Sequence, residues 1–337
     1  MLGTGIPVGE RAQRLHRDSL VLDCHSHFLI NGWLWKRPFH RPAPRPWLWN
    51  PLANALDLES AVRGGLKALA FTSYVPGRPL PRISDRWTDS VLDRYFEIVE
   101  ECGGKLAHCE TAEQIRQAAA LSRLAGFLAI EGAHVLEGKL DNVAHFRSRG
   151  VRMITLTHFV ANDVADGTLS VLRPNRGLSA FGREVVAEME RQGVLVDVAH
   201  CTDKALQDVL AVATRPIVYS HGALRRYRNY ERNLPDGLVR DIAQARGLVG
   251  VIFFPKYLGG SGWTIRAVAR QCRDIANLAS PSCLCLGSDM DGCTYTPIGF
   301  RDASDWPQVT QALLDEGFSE PEVQGILGEN FLRLLGE

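Results

Sequence analysis

Two histidines stand one residue apart at the end of an apolar run near the start of the chain. The run LVLDCHSHF covers residues 20–28 and contains His25 and His27. Imidazole is the commonest side-chain metal ligand, and residues i and i+2 of an extended strand point to the same side. The pair can therefore direct two nitrogens at one point, and its spacing predicts part of a metal site.

Further polar residues close other apolar runs of the chain. They are Glu131, His158, His200, His221 and Asp289. A single histidine at the end of a strand usually has a structural role. A structural role does not explain why a histidine or a carboxylate ends most of the apolar runs. Imidazole nitrogen and carboxylate oxygen are ligands that zinc accepts. These residues predict a metal centre, provided that the fold brings the ends of the runs together.

The number of candidate ligands favours two metal ions over one. A catalytic zinc keeps one coordination position open, so five protein ligands are too many for a single tetrahedral ion. They suit two Zn²⁺ ions about 3.5–4 Å apart that share a carboxylate and a water or hydroxide. His25 and His27 are assigned to one ion and His200 and His221 to the other. Glu131 is assigned to the bridge, because a carboxylate offers two oxygens.

The same arrangement predicts a hydrolytic reaction. A water shared by two metal ions loses a proton near neutral pH and becomes a nucleophile. Asp289 is the candidate general base that takes this proton, and it then acts as the general acid that passes the proton to the leaving group.

These residues need a fold in which successive strands end at the same place. Near-continuous apolar runs alternate with amphipathic stretches, as expected for parallel strands buried on both faces. The eight runs cover residues 20–27, 66–74, 125–132, 151–158, 193–200, 215–221, 247–255 and 282–289. They predict an α/β fold of the (β/α)8 TIM-barrel type, whose catalytic groups lie at the carboxyl ends of the strands. A doubly wound open sheet is the alternative, although no nucleotide-binding glycine motif follows the first run.

We expect one domain over residues 1–337, with helices formed by residues 307–335 packing on the barrel. Residues 31–51 interrupt the alternation and are rich in tryptophan and proline. This insertion follows the first strand, where barrel active sites are built, so it is either an irregular surface loop or a lid or wall of the pocket.

The bulk composition restricts the partners. The 337 residues are 45% hydrophobic and carry zero formal net charge, which is typical of a globular protein. The chain has no excess of positive charge that would indicate nucleic-acid binding, and it has no apolar stretch long enough to cross a membrane. We therefore expect neither a nucleic acid nor a membrane as a partner. The first residues lack a signal-peptide pattern, and none of the eight cysteines forms a CxxC pair. A reduced, cytoplasmic chain is therefore expected.

Several motifs, taken in order, resemble those of the membrane (renal) dipeptidase family, also called peptidase family M19. They are DCHSHF, AIEGAH, LTHFVANDVADG, GREVVAEMERQGVLVDVAH, YSH, ERNLPDGLV and GSDMDG, and the likeness extends from about Arg11 to the GENFLRLL tail. The resemblance implies an amidohydrolase-like barrel, two zinc ions, a dipeptide substrate and a homodimer. It implies the ligands and the acid–base residue assigned above.

The resemblance also implies two residues that contact the substrate. His158 matches the residue at the substrate carbonyl oxygen, and Arg232 matches the residue that holds the substrate carboxylate. Arg226 and Arg228 lie close to Arg232 in the chain and are the alternatives for the second role.

One position departs from the family pattern, which has aspartate where this chain has His27. The exchange makes the site more positive by about one charge, which disfavours a substrate ammonium. We therefore expect a hydrolase that cleaves the amide bond of a dipeptide or dipeptide-like small molecule. Hydrolysis of another carboxylate-bearing C–N bond or of a lactone is the first alternative. A non-catalytic metal-binding barrel is the second.

Overall fold

A ring of parallel strands forms the centre of the molecule. The computed structural model describes residues 5–42, 55–76, 84–169, 176–259, 263–292 and 295–336. The strands are β1 (Val21–Asp23), β2 (Leu66–Tyr74), β3 (Leu106–His108), β4 (Leu124–Glu131), β5 (Val151–Thr155), β6 (Leu195–Asp197), β7 (Val218–Gly222), β8 (Leu248–Val251) and β9 (Leu284–Leu286). Their order is β1-β2-β4-β5-β6-β7-β8-β9, and β3 pairs with β4 outside this path.

Backbone hydrogen bonds connect the last strand to the first. Cys24 N donates to Leu286 O over 2.9 Å, and Asp289 N donates to His25 O over 3.0 Å. The eight strands of the path therefore form a nearly closed barrel, which confirms the predicted TIM-barrel fold.

The short strand β3 was not predicted. It pairs with the first residues of β4, from Leu124 to Gly126, whereas β5 pairs with β4 only from Leu128 onwards. β3 therefore covers an edge of β4 that β5 leaves open. Three residues are too few to produce a periodic pattern in the sequence.

Helices alternate with the strands and surround the barrel. They are α1 (Glu10–Asp18), α2 (Phe28–Leu34), α3 (Leu58–Arg63), α4 (Ser84–Glu101), α5 (Ala112–Ala120), α6 (Asp141–Ser148), α7 (Ala180–Gln192), α8 (Asp203–Val212), α9 (Asp236–Gln244), α10 (Pro255–Leu258), α11 (Ile265–Leu278), α12 (Pro307–Asp315), α13 (Glu320–Gln324) and α14 (Asn330–Gly336). Local sequence sets several boundaries. The Ser179 side chain accepts a hydrogen bond from Gly182 N at the start of α7, and Gly193 ends that helix with φ 67°.

The helices at the end of the chain pack on the barrel, as predicted. α12 contacts α1 and α11, and α14 contacts α5. A π-helical turn (Gly325–Glu329) joins α13 to α14 and contacts β1 and β9. The Phe331 ring lies 5.5 Å from the Phe127 ring of β4, so the tail joins the smaller of the two core clusters.

Two further properties concern the described segments only. Every cysteine in them has a free, buried thiol. None of their helices combines the length and the apolar character that a membrane span needs.

Candidate active site

The predicted ligand and catalytic residues lie together at the carboxyl end of the barrel. Glu131 ends β4 and His221 lies in β7, while the others follow directly after β1, β5, β6 and β9. Their ligand atoms form three overlapping groups, each within 4.8 Å: His25, Glu131 and His221; His25, His27 and Asp289; Glu131, His158 and His200. The strand ends thus converge as the barrel prediction required.

Two histidine pairs flank the Glu131 carboxylate. The Nε2 atoms of His25 and His27 are 3.0 Å apart, and those of His200 and His221 are also 3.0 Å apart. Glu131 Oε1 lies 3.0 Å from His200 Nε2 and 3.4 Å from His221 Nε2. Glu131 Oε2 lies 3.3 Å from His27 Nε2. His25 Nε2 lies 3.5 Å from Oε1, so Oε1 faces three of the four histidines and Oε2 faces His27.

This donor set fits bound metal. Two ligands of a tetrahedral zinc lie roughly 3.3 Å apart, because each is about 2.0–2.1 Å from the ion. Glu131 is 1% exposed, and neither of its oxygens has a hydrogen-bond partner in the described part of the chain. A buried carboxylate is costly unless a cation compensates it, and the residues around Glu131 offer either protonated His27 or a metal ion held by the four histidines.

Burial keeps three of the histidines neutral. It lowers the pKa of His25, and it lowers the pKa values of His200 and His221 well below the ordinary value. Neutral imidazole is the form that binds metal through its lone pair. These three side chains therefore need no deprotonation before they coordinate an ion.

His27 has a different charge state. Burial acts to lower its pKa, but the carboxylates of Glu131 and Asp289 outweigh that effect and raise the pKa to about 10. If His27 Nε2 were to hold a metal ion, it would have to lose this proton, and binding would then be coupled to proton release.

Ser220 and Asp197 orient His221, and the sequence analysis missed both. Ser220 Oγ donates to Asp197 Oδ2 over 2.6 Å, and Ser220 N donates to Asp197 Oδ1 over 2.9 Å. Because the hydroxyl proton is used in this way, Ser220 Oγ accepts from His221 Nδ1 over 2.8 Å. The lone pair of His221 then lies on Nε2, which faces Glu131. The Nδ1 atoms of His25, His27 and His200 lack such a partner among the described residues.

Two site residues have left-handed backbone conformations. The φ angle of His200 is 65° and that of Asp289 is 59°. Such angles cost about 1–3 kcal/mol for residues other than glycine and persist only where the surroundings impose them. The absence of a side chain at Gly292 makes room for the His27 ring and the Asp289 carboxylate, because a Cβ atom there would collide with both.

A cavity of about 440 Å³ opens onto this cluster. Its lining includes His27, Glu131, His158, His200 and Asp289. The Asp289 side chain keeps 14% of its surface exposed, and its Oδ1 is 3.3 Å from His27 Nε2. A ligand in the cavity can therefore contact both Asp289 and the histidine cluster.

Arg232 also lines the cavity, although it is 4% exposed. Its Nη1 donates to Tyr219 Oη over 2.5 Å, and its Nη2 donates to His221 O over 2.6 Å. Its Nε has no hydrogen-bond partner in the described segments. The guanidinium is thus a fixed, buried cation at the edge of the cavity.

The two alternative arginines do not line this cavity. Arg226 forms an ion pair with Asp236, and the Arg228 guanidinium lies 4.5 Å from the centre of the Tyr230 ring. Arg232 is therefore the arginine whose position suits contact with a ligand.

The tryptophan-rich insertion contributes to the cavity. Trp33 and Leu34 are lining residues, whereas residues 43–51 lie outside the described part of the chain. Asp291 anchors the insertion, because its Oδ2 accepts from Asn31 Nδ2 over 3.1 Å. The described part of the insertion thus forms a wall of the pocket.

A barrel with a buried histidine and carboxylate cluster at the carboxyl ends of its strands is typical of metal-dependent hydrolases. The family model of membrane dipeptidase, peptidase family M19, matches residues 9–337. The chain therefore belongs to peptidase family M19, a family of metallo-dipeptidases.

Three relatives illustrate the similarity. Dipeptidase aclJ of Aspergillus oryzae is 33% identical over 218 residues, which are 64% of this chain and 52% of that protein. Dipeptidase tcpJ of Claviceps purpurea is 29% identical over 299 residues, which are 85% of this chain and 70% of that protein. The match thus spans about half the length of the Aspergillus protein. The probable dipeptidase PvdM of Pseudomonas aeruginosa has the same fold, with a TM-score of 0.85, 23% identity and 97% coverage of each chain.

Proposed function

We propose that this chain is a dinuclear zinc hydrolase that cleaves the amide bond of a dipeptide or dipeptide-like small molecule. One observation carries the proposal: the unpartnered Glu131 carboxylate lies between two histidine pairs, each with its Nε2 atoms 3.0 Å apart. His25 and His27 would hold one ion, His200 and His221 the other, and Glu131 would bridge them. When bound, such a pair supplies water whose pKa is lowered towards 7.

Asp289 is proposed to move the proton during the reaction. Its carboxylate faces the cavity and lies beside His27, where a water at the centre of the cluster is within reach. Oδ1 accepts the proton as the water oxygen bonds to the amide carbon. The same carboxyl group then donates the proton to the leaving nitrogen, which departs as an amine.

His158 and Arg232 are proposed to hold the substrate. His158 Nε2 lies 3.6 Å from Glu131 Oε2 on the cavity side of the cluster, and burial lowers its pKa. A neutral imidazole at this place can donate a hydrogen bond to the substrate carbonyl oxygen. Arg232 lies beside His200 and offers a guanidinium to the terminal carboxylate, a pairing whose forked geometry lysine cannot copy.

Metal analysis combined with dipeptide assays tests the proposal. We expect about two zinc ions per chain, loss of hydrolysis on chelation, and recovery when zinc is added back. His200→Ala should lower metal content, whereas His145→Ala, an exposed histidine paired with Asp89, should leave it unchanged. One metal equivalent in a fully loaded protein would contradict the bridging role of Glu131.

The oligomeric state and the cellular location stay predictions. We propose a homodimer from the family resemblance and a cytoplasmic location from the composition. Light scattering of the purified chain tests the first, and fractionation of the native host tests the second.

A further inference from the structure

The cavity has a wall that carries no charge. Three residues of α2 form one part of it, namely Ile30, Trp33 and Leu34, which follow helical i, i+3 and i+4 spacing. Trp87 of α4 and Tyr74 at the end of β2 continue the same surface. We call these five residues the apolar wall.

The wall is held in place from behind. The Trp33 ring lies 6.2 Å from the Trp87 ring, and Trp33 Nε1 donates to Ser90 Oγ over 2.9 Å. The polar atom of the indole therefore bonds to α4, and the ring can present apolar surface to the cavity without an unmet donor.

The positions of the apolar wall and of Arg232 indicate how a substrate lies in the cavity. Helix α2 begins directly after His27. The Tyr74 ring lies 4.5 Å from the His158 ring and 6.4 Å from the His27 ring, so it joins the wall to the cluster. Arg232, in contrast, lies beside His200 and His221. A dipeptide whose carboxylate is at Arg232 and whose amide is at the cluster extends its amino-side residue beyond His27, onto the wall.

We infer that the apolar wall binds a large apolar or aromatic group on the amino-side residue of the substrate. This inference rests on the proposed dipeptidase function and deepens it. The cavity of about 440 Å³ falls within the range that encloses ligands of considerable size. A small residue such as glycine would leave the wall in contact with water. A bulky apolar group removes the wall and itself from water.

A series of dipeptides tests the inference on the metal-loaded full chain. Gly-Gly, Ala-Gly, Leu-Gly, Phe-Gly and Trp-Gly keep the carboxyl-side residue constant while the amino-side residue grows. We expect kcat/KM to rise with apolar size, by about tenfold or more from Ala-Gly to Trp-Gly, because one methylene in a fitted pocket already discriminates about tenfold.

Trp33 of α2 and Trp35, the residue directly after α2, provide a matched pair of variants. Trp33→Ala should remove most of the advantage of Trp-Gly over Ala-Gly. Trp35→Ala should retain it, since Trp35 is 61% exposed and is absent from the described lining of the cavity. Trp33→Leu replaces Trp33→Ala if the latter fails to fold.

The possible results distinguish a failure of the apolar-wall inference from a failure of the proposed dipeptidase function. Hydrolysis with no dependence on amino-side size would overturn the apolar wall as a binding site and leave the dipeptidase function standing. An equal loss of preference in the Trp33 and Trp35 variants would also overturn it. No hydrolysis of any dipeptide by a metal-loaded chain would refute both.

Discussion

The two histidine pairs have the same spacing but different support. In one pair, hydrogen bonds run from His221 Nδ1 through Ser220 to Asp197, whereas His200 Nδ1 has no partner in the described segments. His25 and His27 have no such partner at Nδ1 within the described segments. Their position depends instead on the backbone, since His27 N donates to Met290 O over 2.8 Å.

Each histidine pair and its neighbours form one half of the site, and the difference in support predicts that the two halves have different roles. Hydrogen bonds behind a ligating histidine fix its tautomer and orientation, and they strengthen metal binding. In the half with His200 and His221, the His221 ring has this support, and this half lies next to Arg232. The half with His25 and His27 adjoins Asp289 and the apolar wall. We therefore expect changes in the first half to affect metal retention, and changes in the second to affect proton transfer and substrate choice.

The largest effect is expected for Asp289→Asn. The amide keeps the shape of the side chain but cannot accept and return the proton, so kcat/KM should fall by about 10²–10⁴-fold. Metal content should stay at the wild-type value, because the proposed role is proton transfer. Steady-state kinetics and metal analysis of the same preparation test this.

The metal analysis distinguishes two roles for Asp289. Its Oδ1 is 3.3 Å from His27 Nε2 and 4.0 Å from His25 Nε2, close enough for a shared ion. Loss of one metal equivalent in Asp289→Asn would identify the residue as a ligand, and the assignment as acid–base residue would be wrong.

The barrel and the convergence of the histidines could be predicted because each depends on a local pattern. Apolar runs mark the strands, and parallel strands in a barrel end at one rim, so Glu131 and His221 were expected to meet. The support of His221 could not be predicted. Asp197 lies in an apolar run, and its pairing with Ser220 is visible only once β6 and β7 are neighbours.

The apolar wall could be predicted from the sequence even less than the support of His221, because its residues meet only in the tertiary structure. Trp33 and Trp87 are far apart in the chain, and they meet because α2 packs on α4. The sequence analysis named only the tryptophan-rich segment 31–51, and no local pattern distinguished Trp33 from Trp35, which is exposed. Side-chain direction on a short helix depends on its packing, which a single sequence does not show.

Ser220→Ala should have an intermediate effect, confined to one half of the site. The substitution removes the acceptor of His221 Nδ1, and loss of such a partner typically weakens metal binding by about 10–100-fold. Titration of the metal-free protein with zinc should show one weakened site and one unchanged site.

Ser288→Ala is the matched control on the other half. Ser288 Oγ donates to Asp23 Oδ2 over 2.5 Å, and Asp23 Oδ1 accepts from His25 N over 3.3 Å. The hydrogen bonds of this serine therefore reach the His25 backbone and not the ring of a proposed metal ligand. Its effect on zinc affinity should be smaller. Equal weakening by the two variants would show that the hydrogen bond to the His221 ring has no special part in metal binding.

The smallest effect is expected for His27→Asp, which changes the charge of the second half. Aspartate can also ligate zinc, so the metal should be retained. One added negative charge at about 5 Å from a substrate ammonium, with an effective dielectric near 20, is worth roughly 3 kcal/mol before solvent compensation. We therefore expect the preference for free-amine dipeptides over their N-acetyl forms to rise by about tenfold, with kcat unchanged or lower.

His27→Asn separates this charge effect from the loss of the imidazole. It removes the ring without adding a charge, so it should not raise the ratio of kcat/KM for Phe-Gly over N-acetyl-Phe-Gly. A rise in His27→Asp alone, at full metal content, assigns the change to charge. An unchanged ratio in a fully loaded His27→Asp protein would mean that histidine and aspartate are interchangeable ligands here. Substrate choice in this half would then depend on the apolar wall, where Trp33→Ala measures it directly.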